Sequence, residues 1–145
     1  MPAPQKPIPD CFIFLLAKAY QKAQGRFKKA LEPFGLTTLQ HLVLEGLWYG
    51  DGQTASELAK LLVLDKATLS GVLDRLQEAG WIDKRPDDED RRVSRLYTTP
   101  KADSAKNELI AVRIDTNEVL LDGFNLEERL LLKRFLRELM GGSRH

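Results

Sequence analysis

The 145-residue sequence predicts a mostly α-helical protein with one small β-hairpin. Two observations predict the helices: apolar residues recur every three or four positions, and helix-capping pairs precede several of these stretches. A third observation predicts the hairpin, because apolar and polar residues begin to alternate directly after Gly80. The two helices before this hairpin are separated by a very short turn. The order of elements is therefore that of a winged helix-turn-helix with further helices on both sides.

The N-terminal segment, residues 1–36, begins with a proline-rich stretch and continues as a helix. Four of the first nine residues are prolines, which predicts an extended arm. Asp10 is placed to cap a helix that runs towards Leu31, and Pro33 with Gly35 ends it.

The central segment, residues 37–99, contains the predicted helix-turn-helix. Two capping-box patterns, Thr37-x-x-Gln40 and Thr54-x-x-Glu57, begin its first two helices. Asp65 can cap a third and longer helix. Only residues 62–65 separate the second and third helices, although this turn lacks the glycine that is usual there.

The predicted hairpin follows Gly80, which is placed to end the third helix in a left-handed conformation. Residues 81–85 and 93–98 alternate in the manner of strands, and residues 86–92 connect them.

The C-terminal segment, residues 100–145, is predicted to contain two helices. Thr99 and Pro100 begin a helix that runs to about Leu121. A third capping box, Asn125-x-x-Glu128, begins a last helix that ends near Met140.

Composition narrows the classes of function. With 22 Lys and Arg against 21 Asp and Glu, the net charge is +1, which argues against a protein that coats nucleic acid by bulk electrostatics. One cysteine and two histidines support neither a disulfide framework nor a metal site. No nucleophile motif or phosphate-binding loop appears, so we expect neither an enzyme nor a bound cofactor. The apolar run at residues 11–17 is too short to span a bilayer, which predicts a cytoplasmic protein without membrane contact.

The third helix of the central segment carries candidate DNA contacts. The side chains concerned are Lys66, Thr68, Ser70 and Arg75. In a helix-turn-helix, the N-terminal part of this helix faces the base edges in the major groove. The small hydroxyl side chains permit close approach of the helix to the DNA, and the two cations can reach phosphate or guanine. A merely solvated polar face is the alternative interpretation.

The hairpin carries stronger candidates. Arg91 and Arg92 lie near its tip, where an arginine can enter the narrow minor groove of DNA. Asp90 lies two positions before Arg92, so its carboxylate can share a face with the guanidinium and hold it in a fork. The four acids at residues 87–90 would repel phosphate unless they pair with nearby cations, and a solvated charge run is the alternative interpretation.

Three stretches of the central segment carry a family resemblance. They are TASELAKL at residues 54–61, LDKATLSGVLDRL at residues 64–76 and DEDRRVSRLYTT at residues 88–99. With the Asp90-x-Arg92 motif, they make roughly residues 10–140 similar to the MarR family of bacterial winged-helix regulators. The chain departs from the family at residues 99–102, where a usual glycine is missing.

The resemblance implies several properties. They are a homodimer joined through the first and last helices, a pseudo-palindromic double-stranded DNA operator, and often an effector that lowers DNA affinity. It also implies that Arg92 enters the minor groove and that Asp90 orients it.

The terminal helices have wide apolar faces that favour a dimer. The residues on these faces are Phe12, Leu15, Leu16 and Ala19 on the first helix, and Leu126, Leu130, Leu131, Phe135, Leu136 and Leu139 on the last. These apolar residues are more than one small domain needs for its core, which favours an interface shared by two chains. Burial of some of them in the core of the single chain is the alternative interpretation.

Cys11 is a candidate redox sensor. It resembles the cysteine of the peroxide-sensing branch of the family, but Phe27 and Thr38 replace the tyrosines that hold that cysteine. We therefore favour a buried cysteine that packs as a small apolar residue.

A small aromatic effector between the dimer helices and the winged domain is the other sensor hypothesis. Its candidate contacts are Phe12, Tyr20, His41, Glu45, Trp48 and Trp81. Ordinary core packing is the alternative for each of them. The zinc-sensing branch of the family has weak support, because most ligands would have to be carboxylates.

The sequence thus predicts a dimeric transcriptional regulator, in the first instance a repressor released by a small molecule. Peroxide sensing through Cys11 and a winged helix used only for protein contacts remain alternatives. Residues 54–99 hold eight Lys and Arg against nine acids, a net charge of −1. We therefore expect weak non-specific DNA binding and a strong dependence on a few cations.

Overall fold

A computed structural model describes residues 8–141, which form six α-helices and a three-stranded antiparallel sheet. The elements in chain order are α1 (Phe12–Leu31), α2 (Thr38–Tyr49), β1 (Gln53–Thr54), α3 (Ala55–Leu62), α4 (Lys66–Glu78), β2 (Ile82–Pro86), β3 (Ser94–Thr98), α5 (Pro100–Leu120) and α6 (Leu126–Leu139). This order confirms the predicted fold class, a mostly helical chain with a small β-sheet as its wing. Most of the predicted proline-rich arm lies outside the described residues.

The first helix begins differently from the prediction. Residues Ile8–Asp10 form a single 3-10 turn, which the Cys11 amide closes by donating to the Ile8 carbonyl over 2.9 Å. The N-cap of α1 is consequently Cys11, whose side chain makes no capping hydrogen bond. The predicted capping role of Asp10 is therefore wrong, because Asp10 belongs to the turn before the cap.

The helix-turn-helix consists of α3 and α4. Thr54 caps α3 by accepting a hydrogen bond from the Glu57 amide, and Asp65 caps α4 by accepting one from the Thr68 amide. The reciprocal half of the Thr54 capping box is not formed, and Thr54 instead pairs with Arg95 of β3. At α2, by contrast, the predicted capping box is complete.

Val63 provides the turn between α3 and α4 in place of the usual glycine. Its backbone is left-handed, with φ 55° and ψ 49°. This conformation is sterically unfavourable for a β-branched residue, because Cβ comes close to the following carbonyl oxygen. The missing glycine therefore leaves local strain at Val63.

The wing is a three-stranded sheet in the order β1-β3-β2. Strands β2 and β3 form the predicted hairpin, with Ile82 opposite Thr98 and Pro86 opposite Ser94. Gly80 precedes it in the predicted left-handed conformation, at φ 80°. Strand β1 was not predicted; its two residues pair antiparallel with β3 and join the sheet to the start of α3.

The core lies where α2, α3 and α4 meet the sheet. Leucines from each of these helices are fully buried there, together with Ile82 and Leu96 of the wing. Leu31 at the end of α1 and Leu109 of α5 join the same core. The long helices are thereby fixed to the winged domain.

The last helix has no such support within residues 8–141. The capping box at Asn125 begins α6 as predicted, but none of its side chains is buried. Its apolar residues are all exposed, as are those of the first two turns of α1 that were predicted to face a partner.

Candidate nucleic-acid interface

Helix α4 separates its apolar and polar residues cleanly. Leu69, Leu73 and Leu76 are buried against the core. The predicted contact residues on the other faces are all exposed: Lys66, Thr68, Ser70 and Arg75. The polar side of α4 is therefore available over its whole length.

Thr68 is partly committed within the helix cap. Its hydroxyl donates to Asp65 Oδ2 over 2.8 Å, while its amide donates to Asp65 Oδ1 over 2.7 Å. These two hydrogen bonds hold the pKa of the Asp65 carboxyl below its usual range. The Thr68 hydroxyl proton is thus occupied, which leaves its oxygen as an acceptor and its methyl group for apolar contact.

The wing loop contains the predicted fork. Arg92 Nε donates to Asp90 Oδ1 over 3.0 Å, and Arg92 Nη2 donates to Asp90 Oδ2 over 3.2 Å. The Arg92 amide also donates to Asp90 Oδ1 over 3.1 Å. The Arg92 side chain is nonetheless 91% exposed. A guanidinium is therefore held in one orientation at the surface while remaining open to a ligand.

Charges around the loop are partly neutralised. Asp87 pairs with Arg95 through a 2.6 Å hydrogen bond, and this bond lowers the pKa of the Asp87 carboxyl. The hydrogen bonds from Arg92 lower the pKa of Asp90 in the same way. Asp88 and Glu89 are exposed, as is Arg91. Two of the four consecutive acids therefore pair with arginines, which reduces their repulsion of phosphate.

A cavity of about 280 Å³ lies between α4 and the sheet. Its apolar wall includes Leu69, Leu73 and Leu96, and its polar rim includes Lys66, Ser70 and Lys84. Lys84 also lies 3.5 Å from the Asp74 carboxylate. The sequence did not predict this cavity, because α4 and the sheet are brought together only by the fold.

The predicted effector contacts occupy different environments. Phe12 and Tyr20 are exposed on α1, with 57% and 63% of their surfaces accessible. Trp48 donates through its indole nitrogen to Asp103, and the buried Trp81 lies under the Lys101 ammonium. None of these four residues lines the cavity between α4 and the sheet.

The two remaining predicted contacts, His41 and Glu45, belong to a buried polar cluster between α2 and α5. His41 Nε2 lies 3.2 Å from the Leu109 carbonyl oxygen and 3.4 Å from Glu45 Oε2. Arg113 donates to both oxygens of the same carboxylate. Burial is the main reason why the pKa of His41 is lowered from its ordinary value. Sequence reasoning singled out His41 and Glu45 but missed Arg113.

Cys11 is exposed, so the interpretation of a buried apolar cysteine is wrong for the single chain. The residues that replace the expected tyrosines are engaged elsewhere. The Phe27 ring packs edge-on against His41, and the Thr38 hydroxyl accepts from Gln24.

Among residues 8–141, no helix is long and apolar enough to cross a membrane. The same residues contain no group of three or more His, Cys, Asp or Glu side chains that could hold a metal ion.

A short helix, a second helix with an open polar side and a hairpin with a surface arginine define a winged-helix DNA-binding protein. The sequence model of the MarR family matches residues 36–94. The regulator YwoH of Bacillus subtilis is 30% identical over 85% of this chain and 91% of its own length. The repressor NicR of Pseudomonas putida is 27% identical over 87% of this chain and 80% of its own.

A solved structure of a MarR protein has a similar fold. A mutant of MarR from E. coli, complexed with operator DNA, aligns with a TM-score of 0.82 at 25% identity. The alignment covers 91% of this chain and 94% of that one. The chain belongs to the MarR family and is a DNA-binding transcriptional regulator.

Proposed function

We propose that this regulator acts as a homodimer that binds a pseudo-palindromic operator and represses transcription until a small effector lowers its DNA affinity. The observation that carries the proposal is the Arg92 guanidinium, which is held by Asp90 and exposed at the wing tip. Held in this way, it loses little conformational entropy when it enters a minor groove.

In this proposal, residues 37–99 bind the DNA. The polar side of α4 enters the major groove, with Thr68 and Ser70 near base edges. Lys66, Arg75 and Arg91 contact phosphates or guanine. Residues 1–36 and 100–145 form the dimer, which places two winged domains one turn of DNA apart. The protein is proposed to act in the cytoplasm, where its operator is accessible.

The unburied apolar faces of α1 and α6 support the dimer. Leu126 and Leu130 are 69% and 59% exposed, and Phe135 is 50% exposed. A contiguous apolar surface of this kind is rare on a monomeric protein and is typical of an interface. A symmetric dimer buries the same faces of both chains.

A small aromatic acid is the effector class that we propose. The cavity between α4 and the sheet combines leucine side chains with two lysines, Lys66 and Lys84. An anion bound there would neutralise Lys66, which is a proposed DNA contact of α4, so DNA and the acid would compete. The other predicted contacts, Phe12, Tyr20, His41, Trp48 and Trp81, remain the second set of candidates for binding the effector.

Selection of bound duplexes from a random DNA pool tests the proposal. We expect enrichment of an inverted repeat whose half-sites lie about 10 base pairs apart. Aromatic acids, with an aliphatic acid of equal charge as the control, should then release the selected DNA. A winged helix used only for protein contacts would enrich no sequence, and this result would refute the proposal.

A second candidate function, peroxide sensing, rests on the exposure of Cys11. An accessible thiol can be oxidised, and the resulting polar group would disturb the apolar N-terminal part of α1. Organic peroxide should then release the operator from the native protein and leave a Cys11→Ser variant bound. Equal release of both proteins, or of neither, would exclude this function.

A further inference from the structure

A chain of hydrogen bonds connects the wing loop to the turn that precedes β1. Arg95, on the central strand β3, donates from Nε to Asp87 Oδ1 over 2.6 Å. The same guanidinium donates from Nη1 to the Gly52 carbonyl over 2.9 Å. The Gly52 amide in turn donates to the Leu96 carbonyl over 3.0 Å. One side chain therefore bridges two segments that lie far apart in the sequence.

Asp87 connects Arg95 to the backbone of the wing loop. Its Oδ2 accepts hydrogen bonds from the amides of Glu89 and Asp90, over 3.2 and 3.0 Å. Its own amide donates to the Val93 carbonyl over 2.8 Å, and the Val93 amide donates to the Asp90 carbonyl over 3.0 Å. The backbone of Asp90 is thus fixed from two directions.

The chain of contacts ends at the DNA-contact candidate. The Asp90 carboxylate receives three hydrogen bonds from Arg92. Without Asp87, the Asp90 backbone would lose one of the bonds that fix it, and the Arg92 fork would move with the loop. A mobile loop must be ordered when DNA binds, and this ordering weakens affinity.

We propose that Asp87 and Arg95 are positioning residues that hold the Asp90–Arg92 fork in register with the helix-turn-helix. The inference rests on the proposed function in one respect, that Arg92 binds DNA. Asp87 and Arg95 act through the fork and need not touch DNA themselves. The ion pair between them also neutralises one carboxylate charge in the loop.

The sign of the effect separates positioning from electrostatics. Removing an acid near DNA reduces repulsion and should strengthen binding if only charge matters. Positioning predicts the opposite, and we expect Asp87→Ala to weaken operator binding by about 3- to 10-fold, the cost of ordering one or two side chains. Asp88→Ala is the matched control, since it removes the same charge from the exposed neighbouring residue and should not weaken binding.

The experiment is a double-mutant cycle with Arg92→Ala, measured by fluorescence anisotropy on the selected operator. If Asp87 acts through Arg92, Asp87→Ala should change affinity by less than about twofold in the Arg92→Ala background. An equal loss in both backgrounds would overturn the inference. So would an unchanged affinity for Asp87→Ala while Arg92→Ala weakens binding. If Arg92→Ala itself has no effect, the DNA role of the wing fails instead.

A second variant keeps the test valid should Asp87→Ala fold poorly. Arg95→Lys retains the positive charge but cannot donate to Asp87 and to the Gly52 carbonyl in the same fork geometry. We expect a smaller loss of operator affinity that again disappears in the Arg92→Ala background. Amide hydrogen exchange at Asp90 should be faster in both variants. Unchanged exchange together with full affinity would overturn the inference.

Discussion

At the scale of single residues, the Asp90–Arg92 fork is the feature on which the DNA-binding account depends. The carboxylate restricts the rotamers of an otherwise flexible side chain, since both guanidinium bonds are formed. It also keeps a negative charge beside the cation, which reduces the long-range attraction of phosphate. The arrangement favours correct placement of the arginine over bulk attraction.

Replacement of Arg92 tests this feature. We expect Arg92→Ala to cost about 1–3 kcal/mol of operator binding, with the fold unchanged because the side chain is exposed. Arg92→Lys should recover only part of the loss, since lysine retains the charge without the fork. Gel-shift titrations with the selected operator measure both effects, and full affinity of Arg92→Ala would remove the wing from the interface.

His41 gives the folded state a dependence on pH. Its burial lowers its pKa, with Arg113 acting in the same direction and Glu45 opposing it. As pH falls through about 6.5, the unfolded chain takes up a proton before the folded chain does. Thermal stability should therefore decrease from neutral pH towards acid, within the window between the ordinary pKa and the lowered one.

The measurement compares melting temperatures at about pH 7.5 and pH 5.5 for the native protein and for His41→Gln. Glutamine keeps a donor for the Leu109 carbonyl but does not titrate. We expect the native protein to lose more stability than the variant over this interval. The same loss in both proteins would show that other groups, such as the carboxylates, determine the pH dependence.

At the scale of secondary structure, short sequence patterns predicted the helices whose starts depend on hydrogen bonds between neighbouring residues. The boxes at Thr37 and Asn125 are both complete, and α2 and α6 begin directly after them. The spacing of Asp90 and Arg92 also predicted the fork, because two residues two positions apart need no long-range information. Asp10 failed as a cap because a 3-10 turn before Cys11, which no residue pattern signals, displaced the start of α1.

Features that depend on distant partners could not be predicted from the sequence. Strand β1 has only two residues, and its pairing with β3 alone makes it a strand. The ion pair between Glu45 and Arg113 joins residues 68 positions apart. Likewise, the sequence predicts that the acids at residues 87–90 pair with nearby cations, but it gives no sign of the bond between Arg95 and Gly52, which spans 43 positions.

The left-handed Val63 gives a prediction for the turn of the helix-turn-helix. Val63→Gly should relieve a strain of about 1–2 kcal/mol, offset by about 0.5–1 kcal/mol of lost chain entropy. The side chain is 71% exposed, so little apolar burial is lost. We expect a small increase in melting temperature, on the order of 2 °C. Val63→Thr retains the β-branch and should show no increase; a lower melting temperature for Val63→Gly would contradict the account.

At the scale of the whole molecule, the exposed apolar faces of α1 and α6 are the surfaces that the proposed dimer would bury. We expect Leu131→Gln with Phe135→Gln to raise the dimer dissociation constant at least about 100-fold, because each buried side chain contributes about 1.5–3 kcal/mol and occurs twice. Lys133→Gln with Arg137→Gln changes the polar face of the same helix and is the control. Sedimentation equilibrium measures both variants, and an unchanged dimer would place the interface elsewhere.

Charge distribution at this scale predicts the character of DNA binding. Residues 54–99, which contain the helix-turn-helix and the wing, have a net charge of −1, so few cations are available for non-specific contacts. Two of its acids are paired with the arginines that shape the wing. Affinity for arbitrary DNA should consequently be low, which suits the release by an effector that we propose.

The central claim is that a dimer reads a specific sequence through α4 and the wing. Its most direct test is an anisotropy titration of the selected inverted repeat against a scrambled duplex of equal composition, at about 150 mM salt. We predict two chains per duplex and a preference of at least about 1,000-fold for the repeat. Equal affinity for the two duplexes, or saturation by one chain per repeat, would contradict the claim.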